Sequence, residues 1–381
     1  MPWLKWFGGV SVQMAAVSNP PLAIASNGSG MIYGLFSGSR GYYLAVSRDL
    51  ESWNVTSRGV IPSGYDSQLG RDLAITNAGV VIVAATRLVA NQNFTIFRSS
   101  FDHGLTFQTV LNVSLKAEPL TLTGSSTGPG GGFWHGVAES TNGYLFAGLY
   151  NPQGLIFRST DGAHTWHLVF NASRYGDWHN EIHDVEVDNT NNNIFATTDD
   201  EAGARNNQSI WVSTDYGNNW TLVYSATKGG AALPVGAIPL SVGFLDQGNL
   251  VAVGLDNSDP SLGRSIFVLA QNPDGCLRAV YQVLASKSEV DPFYAWYMYP
   301  NNDSVFVLTY SVSLSHDHGV GLFEMSPEGN LTLIMTLVGE NGFPEQFAQM
   351  AGPTSLGTYG VIAFVNDQRY LLVVRNLSQF G

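Results

Sequence analysis

The octet Ser213-Thr-Asp-Tyr-Gly-Asn-Asn-Trp220 is a repeated unit of this sequence. It recurs as Ser100-Phe-Asp-His-Gly-Leu-Thr-Phe107 and Ser159-Thr-Asp-Gly-Ala-His-Thr-Trp166, with a shortened copy at Ser47-Arg-Asp-Leu-Glu-Ser-Trp53. An Asp side chain can accept hydrogen bonds from backbone N–H groups of its own turn, and Gly supplies a residue with positive φ. The terminal aromatic side chain can fold back onto a sheet. We therefore expect each octet to join two antiparallel strands.

These octets resemble the Asp boxes, also called BNR repeats, of the sialidase-like β-propellers. The resemblance implies an all-β ring of blades, each made of four antiparallel strands. It also implies that the octets are structural and lie on the rim away from the ligand site. They indicate the architecture and say little about chemistry.

Apolar segments rich in Val, Ile, Phe and Tyr recur in register with the octets and predict seven blades in one domain spanning residues 1–381. A six-bladed ring is the alternative. Two later repeats keep turn residues but lose the aromatic, at Asn272-Pro-Asp-Gly275 and Ser326-Pro-Glu-Gly329. The second strands are predicted to begin near Met31, Val80, Tyr144, Asn193, Asn249, Ser304 and Tyr359.

The last repeat lacks a fourth strand of its own. Its third strand, Tyr370-Leu-Leu-Val-Val374, is followed by only seven residues. At the other end, Trp3-Leu-Lys-Trp-Phe7 resembles Trp166-His-Leu-Val-Phe170, the strand that leaves an octet. We predict that this N-terminal segment is the outer strand of the last blade, because closing the ring removes exposed strand edges. In that case it is not part of a cleaved signal.

The composition excludes several classes of partner. Charged residues make up 12% of the 381 residues, and the formal net charge is −13. Nucleic acids and anionic bilayers call for clusters of Lys and Arg, so neither is an expected partner. The single cysteine, Cys276, excludes an intrachain disulfide and a cysteine-based zinc site. No uninterrupted apolar stretch is long enough to cross a bilayer.

The sequence favours an extracellular protein, or one on the surface of a cell or virus particle. Low charge and many Asn-x-Ser/Thr sequons support this location. Residues 1–26 match a signal peptide poorly, so another export route or delivery in a particle is needed. The ten sequons begin at Asn27, Asn54, Asn93, Asn112, Asn171, Asn207, Asn219, Asn302, Asn330 and Asn376.

The starts of the innermost strands are the places to search for chemistry, because these strands line the channel of a propeller. His135 and His183 fall at such starts in successive blades and form the densest signal. His183 is suited to be a general acid or base, oriented by Asp184 or Glu181. In the alternative interpretation the histidines only hydrogen-bond between blades. The predicted starts lie near Asp72, His135, His183, Ser241, Trp296 and Met350.

No cofactor is expected, and a metal ion is a secondary alternative. His179 and His183 would lie roughly 13 Å apart on one extended strand, too far to bind one ion. A metal site would instead combine His135 and His183 with a carboxylate. The carboxylates available are Glu181, Asp199 and Asp200.

Further residues near the predicted channel face suit a sugar ligand. Flat aromatic side chains such as Trp178 and Trp296 stack on the apolar face of a sugar ring, beside groups that bind its hydroxyls. Packing between blades is the alternative role for these aromatics. The expected hydrogen-bonding or charged groups are Arg71, Asp72, Asp199, Asp200 and Tyr294.

Three functions follow from these patterns. The first is glycan recognition through a channel face lined by His, Trp and Asp. The second is a carbohydrate-active hydrolase or lyase that uses His183 with nearby carboxylates. The third is a structural component of a cell surface or virus particle. Sialidase activity is disfavoured, because the Phe/Tyr-Arg-Ile/Leu-Pro segment of sialidases is absent.

Overall fold

The chain forms a ring of seven antiparallel β-blades, of which the last two are joined into one nine-stranded sheet by the pairing of Tyr310 with Gln346. The computed structural model describes residues 3–6, 10–15, 18–66, 72–89, 92–116, 133–150, 154–175, 181–199, 208–227, 233–234, 236–255, 265–271, 276–284, 293–301, 303–311, 320–338, 346–365, 368–375 and 377. Besides strands, these residues include two short 3-10 helices, Ala172–Tyr175 and Asp246–Gly248. None of the helices described is long and apolar enough to cross a membrane.

Blades 1 to 4 are each built from four consecutive strands. Blade 1 contains β3 (Ala23–Ser26), β4 (Ile32–Gly38), β5 (Gly41–Ser47) and β6 (Asn54–Arg58). Blade 2 contains β7 (Leu73–Ile75), β8 (Val81–Val89), β9 (Gln92–Ser100) and β10 (Gln108–Lys116). Blade 3 contains β11 (Phe133–Glu139), β12 (Leu145–Leu149), β13 (Leu155–Ser159) and β14 (His167–Asn171). Blade 4 contains β15 (Glu181–Val187), β16 (Ile194–Asp199), β17 (Ser209–Ser213) and β18 (Thr221–Ser225).

Blade 5 follows the same plan, whereas blades 6 and 7 also use the N-terminal strands β1 (Trp3–Trp6) and β2 (Ser11–Met14). Blade 5 contains β19 (Pro239–Leu245), β20 (Leu250–Leu255), β21 (Ser265–Gln271) and β22 (Leu277–Leu284). Blade 6 contains β23 (Phe293–Asn301), β24 (Ser304–Ser311), β25 (Val320–Met325), β26 (Leu331–Val338) and β1. Blade 7 contains β27 (Gln346–Ala351), β28 (Tyr359–Val365), β29 (Gln368–Arg375) and β2. All seven predicted second strands are present, and the prediction of seven blades is confirmed.

Burial falls from the inner to the outer strands of a blade. The second strand of blade 3, Leu145–Leu149, is buried at every residue, as expected for an apolar run covered on both faces. Its outer strand, His167–Asn171, exposes its first two residues. Buried residues of neighbouring blades, such as Ala84 of blade 2 and Leu145 of blade 3, form a single cluster, so the hydrophobic core lies between adjacent blades.

Two glycines allow neighbouring blades to approach closely. A methyl group on Gly148 of blade 3 would collide with Ile182 and Val185 of blade 4. A methyl group on Gly254 of blade 5 would lie 2.7 Å from the Cβ of Ala295 in blade 6. Both glycines lie on second strands, so the second strand of one blade packs directly on the inner strand of the next.

The turn at Ser159–Trp166 has the stapled structure that its sequence predicts. Ser159 donates to Asp161 Oδ1 over 2.8 Å, and the same carboxyl oxygen accepts from the backbone N–H of Thr165 at 2.9 Å. The Trp166 ring meets Phe97 of blade 2 edge to face, with ring centroids 5.2 Å apart. Burial raises the pKa of Asp161, but the hydrogen bonds from Thr165 and Ser159 outweigh it and lower that pKa to about 2. We call this arrangement a Ser–Asp turn.

The two other octets and the shortened copy at Ser47–Trp53 form Ser–Asp turns as well, and each joins the third and fourth strands of its blade, as predicted. In each, the serine hydroxyl donates to the carboxylate two residues later. The carboxylate in turn accepts backbone N–H groups of the turn. Ser326–Gly329 connects β25 and β26 without an aromatic residue, whereas residues 272–275 lie outside those described.

The ring is closed by an N-terminal strand, as predicted, but by a different one. Ser11–Met14 is antiparallel to β29, with Val12 opposite Val374, and it is the fourth strand of blade 7. The assignment of residues 3–7 to that place was wrong. Trp3–Trp6 pairs with β26 and forms a fifth, outermost strand of blade 6. Burial explains the choice, because Val12 is only 8% exposed and enters the core shared by blades 6 and 7.

Candidate functional site

The innermost strands of blades 4 to 7 share a β-bulge near their first residues. The register shifts between Ile182 and Asp184 in β15, so that His183 is the bulged residue. Equivalent shifts occur at Pro239/Ser241, Ala295/Tyr297 and Phe347/Gln349. A bulge bends its strand and re-aims one side chain, and bulges are common beside active sites. His183 and Trp296 hold equivalent bulged positions in blades 4 and 6.

The residue that follows the bulge anchors its blade to the next one. Asp184 Oδ2 accepts the backbone N–H of Val242 in blade 5 over 2.7 Å. The Ser241 hydroxyl donates to the carbonyl of Ala295 in blade 6, also over 2.7 Å. Blade 7 repeats the pattern through Gln349, which accepts from Ile24 of blade 1. Asp184 therefore fixes the bulge, and with it the position of the neighbouring His183.

His183 lies against an aromatic ring supplied by the preceding blade. Its side chain is 4% exposed, and its ring meets that of Tyr150 edge to face, with centroids 5.5 Å apart. Tyr150 directly follows β12, so the end of a second strand meets the start of the next inner strand. Sequence reasoning missed this residue, although it included the equivalent end of the second strand in blade 4, at Asp199 and Asp200. The antiparallel order of the strands is the signal that could have identified it.

Three of the predicted carboxylates are buried at the same ends of the inner strands. Glu181 and Asp184 of blade 4 are each 2% exposed, and Asp72, next to the start of β7 in blade 2, is fully buried. Buried carboxyl groups are costly unless hydrogen bonds or nearby charges compensate them. These residues place buried carboxyl groups at the inner-strand starts of blades 2 and 4, on either side of blade 3. We call this region the channel-face site.

The other predicted site residues are placed only in part. His135, Tyr294 and Trp296 lie on the inner strands β11 and β23, and Asp199 ends β16, opposite Glu181. Their side chains are outside what the structure describes, so the predicted meeting of His135 and His183 stays a prediction. Arg71, Trp178 and Asp200 lie outside the described residues altogether.

The metal alternative depends on the same residues. Within the described part of the chain, no three His, Cys, Asp or Glu side chains come together as a metal site would require. The predicted combination includes His135 and either Asp199 or Asp200, whose side chains are not among those described. That combination therefore stays a prediction.

Solved structures resemble the chain over almost its whole length. YCF48 bound to a D1 peptide matches with a TM-score of 0.52 at 10% identity, covering 97% of this chain and 98% of that one. A polysaccharide lyase, the PL25 ulvan lyase, matches with a TM-score of 0.52 at 12% identity, with coverages of 97% and 98%. An ancestral GH74 enzyme matches with a TM-score of 0.52 at 14% identity, covering 95% of this chain and 46% of that one.

These similarities concern the fold. At identities of 10–14% they show the fold alone, which the strand order defines as a seven-bladed β-propeller. No protein-family model matches the chain, and no curated protein matches it.

Proposed function

We propose that the protein recognises glycans at the channel-face site. The observation that carries this proposal is the contact between His183 and Tyr150, beside the buried Glu181. Imidazole, phenol and carboxyl groups together provide the donors and acceptors that sugar hydroxyls bind, and aromatic rings provide an apolar surface. Fold similarity to a polysaccharide lyase and to a GH74 enzyme supports a carbohydrate ligand.

The charge of the protein favours neutral glycans over acidic ones. The chain has 30 acidic residues against 17 Lys and Arg. The described carboxyl groups at the starts of inner strands, Asp72 in blade 2 and Glu181 and Asp184 in blade 4, are further acidic side chains of this site. The carboxylate of a uronate would be repelled by these acidic side chains, whereas a neutral sugar would not be repelled.

Binding to a panel of neutral and acidic polysaccharides tests the proposal. We expect saturable binding of a neutral member, and at least about a tenfold loss in His183→Ala and Tyr150→Ala, since a hydrogen bond lost at a binding site has that order of effect. Phe101→Ala is the matched control, because Phe101 stacks on His164 in the Ser–Asp turns, away from the site. Equal binding by the site variants and the control would refute glycan recognition here.

The same contact favours a second function, catalysis on a polysaccharide. His183 would act as a general base or acid beside Tyr150, with Asp184 holding the bulge in place. A lyase would form an unsaturated uronate with ultraviolet absorbance, and a hydrolase would form new reducing ends. If the parent protein forms such a product and the His183→Ala variant does not, the function is catalysis rather than recognition alone.

We further propose two statements. The first is that the Ser–Asp turns are Asp boxes. The second is that the protein acts outside the cell or on a cell or virion surface, either in recognition or as a structural component. The hydrogen bonds shared by the turns support the first statement. Exposed sequons on or beside outer strands, at Asn54, Asn112 and Asn330, support the second. In a eukaryotic secretory host, peptide mapping should find glycans there. Asn219 should stay unmodified, because its amide donates to Asp215.

A further inference from the structure

A cavity lies between blades 4, 5 and 6, at the opposite end of β15 from the channel-face site. It encloses about 370 Å³, which is near the lower end for small-molecule pockets. Glu186 lines it, five residues along the strand from Glu181 and therefore roughly 17 Å away. The cavity is thus separate from the site proposed for glycans.

The walls of this cavity combine apolar surface with acidic groups. Phe244 of β19 and Met298 and Pro300 of β23 provide apolar surface. Among the described residues that line the cavity, the charged ones are Glu186 and Asp188, both acidic. A ligand that matches these walls carries a positive charge and a short hydrocarbon part.

The two carboxylates differ in how their oxygens are used. Asp188 Oδ1 accepts from the backbone N–H of Thr190 over 2.8 Å, and Oδ2 accepts from Gln271 Nε2 over 2.6 Å. The Thr190 hydroxyl donates to the carbonyl of Gln247, which fixes the same wall. Glu186 lies deep in the protein and stays partly accessible, and it has no hydrogen-bond or ion-pair partner among the described residues.

The environment of Glu186 opposes its negative charge. Burial, followed by the neighbouring charge of Asp184, raises the pKa of Glu186 well above its usual range. Asp188 is the other charged group at the cavity, and the lining residues of β19 and β23 carry no titratable side chain. A positive charge in the cavity would favour the ionised carboxylate, so its binding should release a proton.

We propose that this cavity binds an organic ammonium ion, with the ammonium group at Glu186 and the hydrocarbon part against Phe244 and Met298. A metal ion fits less well, because Ca²⁺ and Mg²⁺ require about six or more oxygen ligands. The oxygens of Asp188 already accept hydrogen bonds, so Glu186 alone offers an unused carboxylate. An ammonium group needs only a few acceptors and tolerates the apolar walls.

Calorimetric titration of the full chain with n-butylammonium tests this site, with n-butanol and Ca²⁺ as comparison ligands. We expect saturable binding of n-butylammonium that releases a proton and becomes tighter as the pH rises toward the raised pKa of Glu186. The neutral n-butanol should bind at least about tenfold more weakly, because it lacks the charge-assisted hydrogen bond. Equal binding of both ligands, tighter binding of Ca²⁺ or no saturable binding would overturn the proposal.

Glu186→Gln keeps the shape of the side chain and removes its charge. We expect at least a tenfold loss of n-butylammonium affinity and no proton release in this variant. Glu328→Gln, which alters an exposed acid in a turn of blade 6, should bind like the parent protein. Unchanged affinity in Glu186→Gln would contradict the assignment. Proton release by the unmodified protein, measured in buffers of different ionisation enthalpy, provides a test that needs no variant.

Discussion

Blades 3 and 4 hold their outer strands by local chemistry, whereas blades 6 and 7 use strands from the far end of the chain. In blade 3, Ser159 and Asp161 staple the turn that leads directly to the outer strand. Blades 6 and 7 instead have β1 and β2 at their outer edges. The ring therefore combines blades that complete themselves with blade 7, whose fourth strand comes from distant sequence, while β1 adds a fifth strand to blade 6.

Truncation of the N-terminal strands should give the largest loss of stability. Removing residues 1–15 deletes β1 and β2, exposes the edge of β29 and removes Val10 and Val12 from the core. We expect a loss of several kcal/mol, because a buried Val side chain alone contributes about 1.5–3 kcal/mol. Removing only residues 1–9 should cost far less, because blade 6 keeps four strands of its own. Thermal unfolding measures both.

Size-exclusion chromatography adds a second measurement to this pair. An unpaired strand edge promotes association, so the longer truncation should also form oligomers. Equal unfolding temperatures for the two truncations would show that β2 does not close the ring.

Two serine substitutions compare the stability contributed by a Ser–Asp turn with that contributed by the turn that lacks an aromatic residue. Ser159 is fully buried, and its hydroxyl accepts from the N–H of Ala163 over 2.9 Å. Ser159→Ala leaves that donor unpaired and should cost about 1–3 kcal/mol in the free energy of unfolding. Ser326→Ala, in the partly exposed turn without an aromatic, should change it by less than about 0.5 kcal/mol. Denaturant unfolding measures the two changes in unfolding free energy. Equal losses in the two variants would show that the Ser–Asp turns contribute no more stability than the other turn.

Acid titration should give the smallest effect. The pKa of Asp161 is lowered from 3.8 to about 2 in the folded protein, so its stabilisation is present above pH 3.8 and is lost as the pH falls toward 2. The difference in unfolding free energy between the parent protein and Asp161→Asn should therefore shrink over that window. A difference that stays constant from about pH 5 to about pH 1, limits that lie roughly one unit outside the two pKa values, would show that the charge of Asp161 does not matter.

The turns, the strand order and the number of blades could be predicted because their chemistry is local. Ser159, Asp161 and Thr165 interact within six residues of sequence. The choice between β1 and β2 could not be predicted in the same way. Both are short strands, and the deciding contacts join residues as far apart as Gln13 and Arg375, which are separated by 362 positions.

Part of the channel-face site was also accessible to sequence reasoning. Glu181, His183 and Asp184 were identified from their place at the start of an inner strand. The bulge at His183 depends on register with β16, and the anchoring of Asp184 depends on Val242 in another blade. Tyr150 comes from blade 3. Such relations are set by how blades pack, which a pattern along one strand does not contain.

The pairing of β2 with β29 also sets an order of events during synthesis. Strand β2 must wait for β29 to be synthesised, since Gln13 and Arg375 are 362 residues apart. At a translation rate of about 5–20 residues per second, this delay is on the order of 20 to 70 seconds. During that time the apolar residues of β2 have no place in the ring. The nascent chain therefore carries an unprotected apolar segment throughout this interval, and a chaperone that binds such segments would find it there.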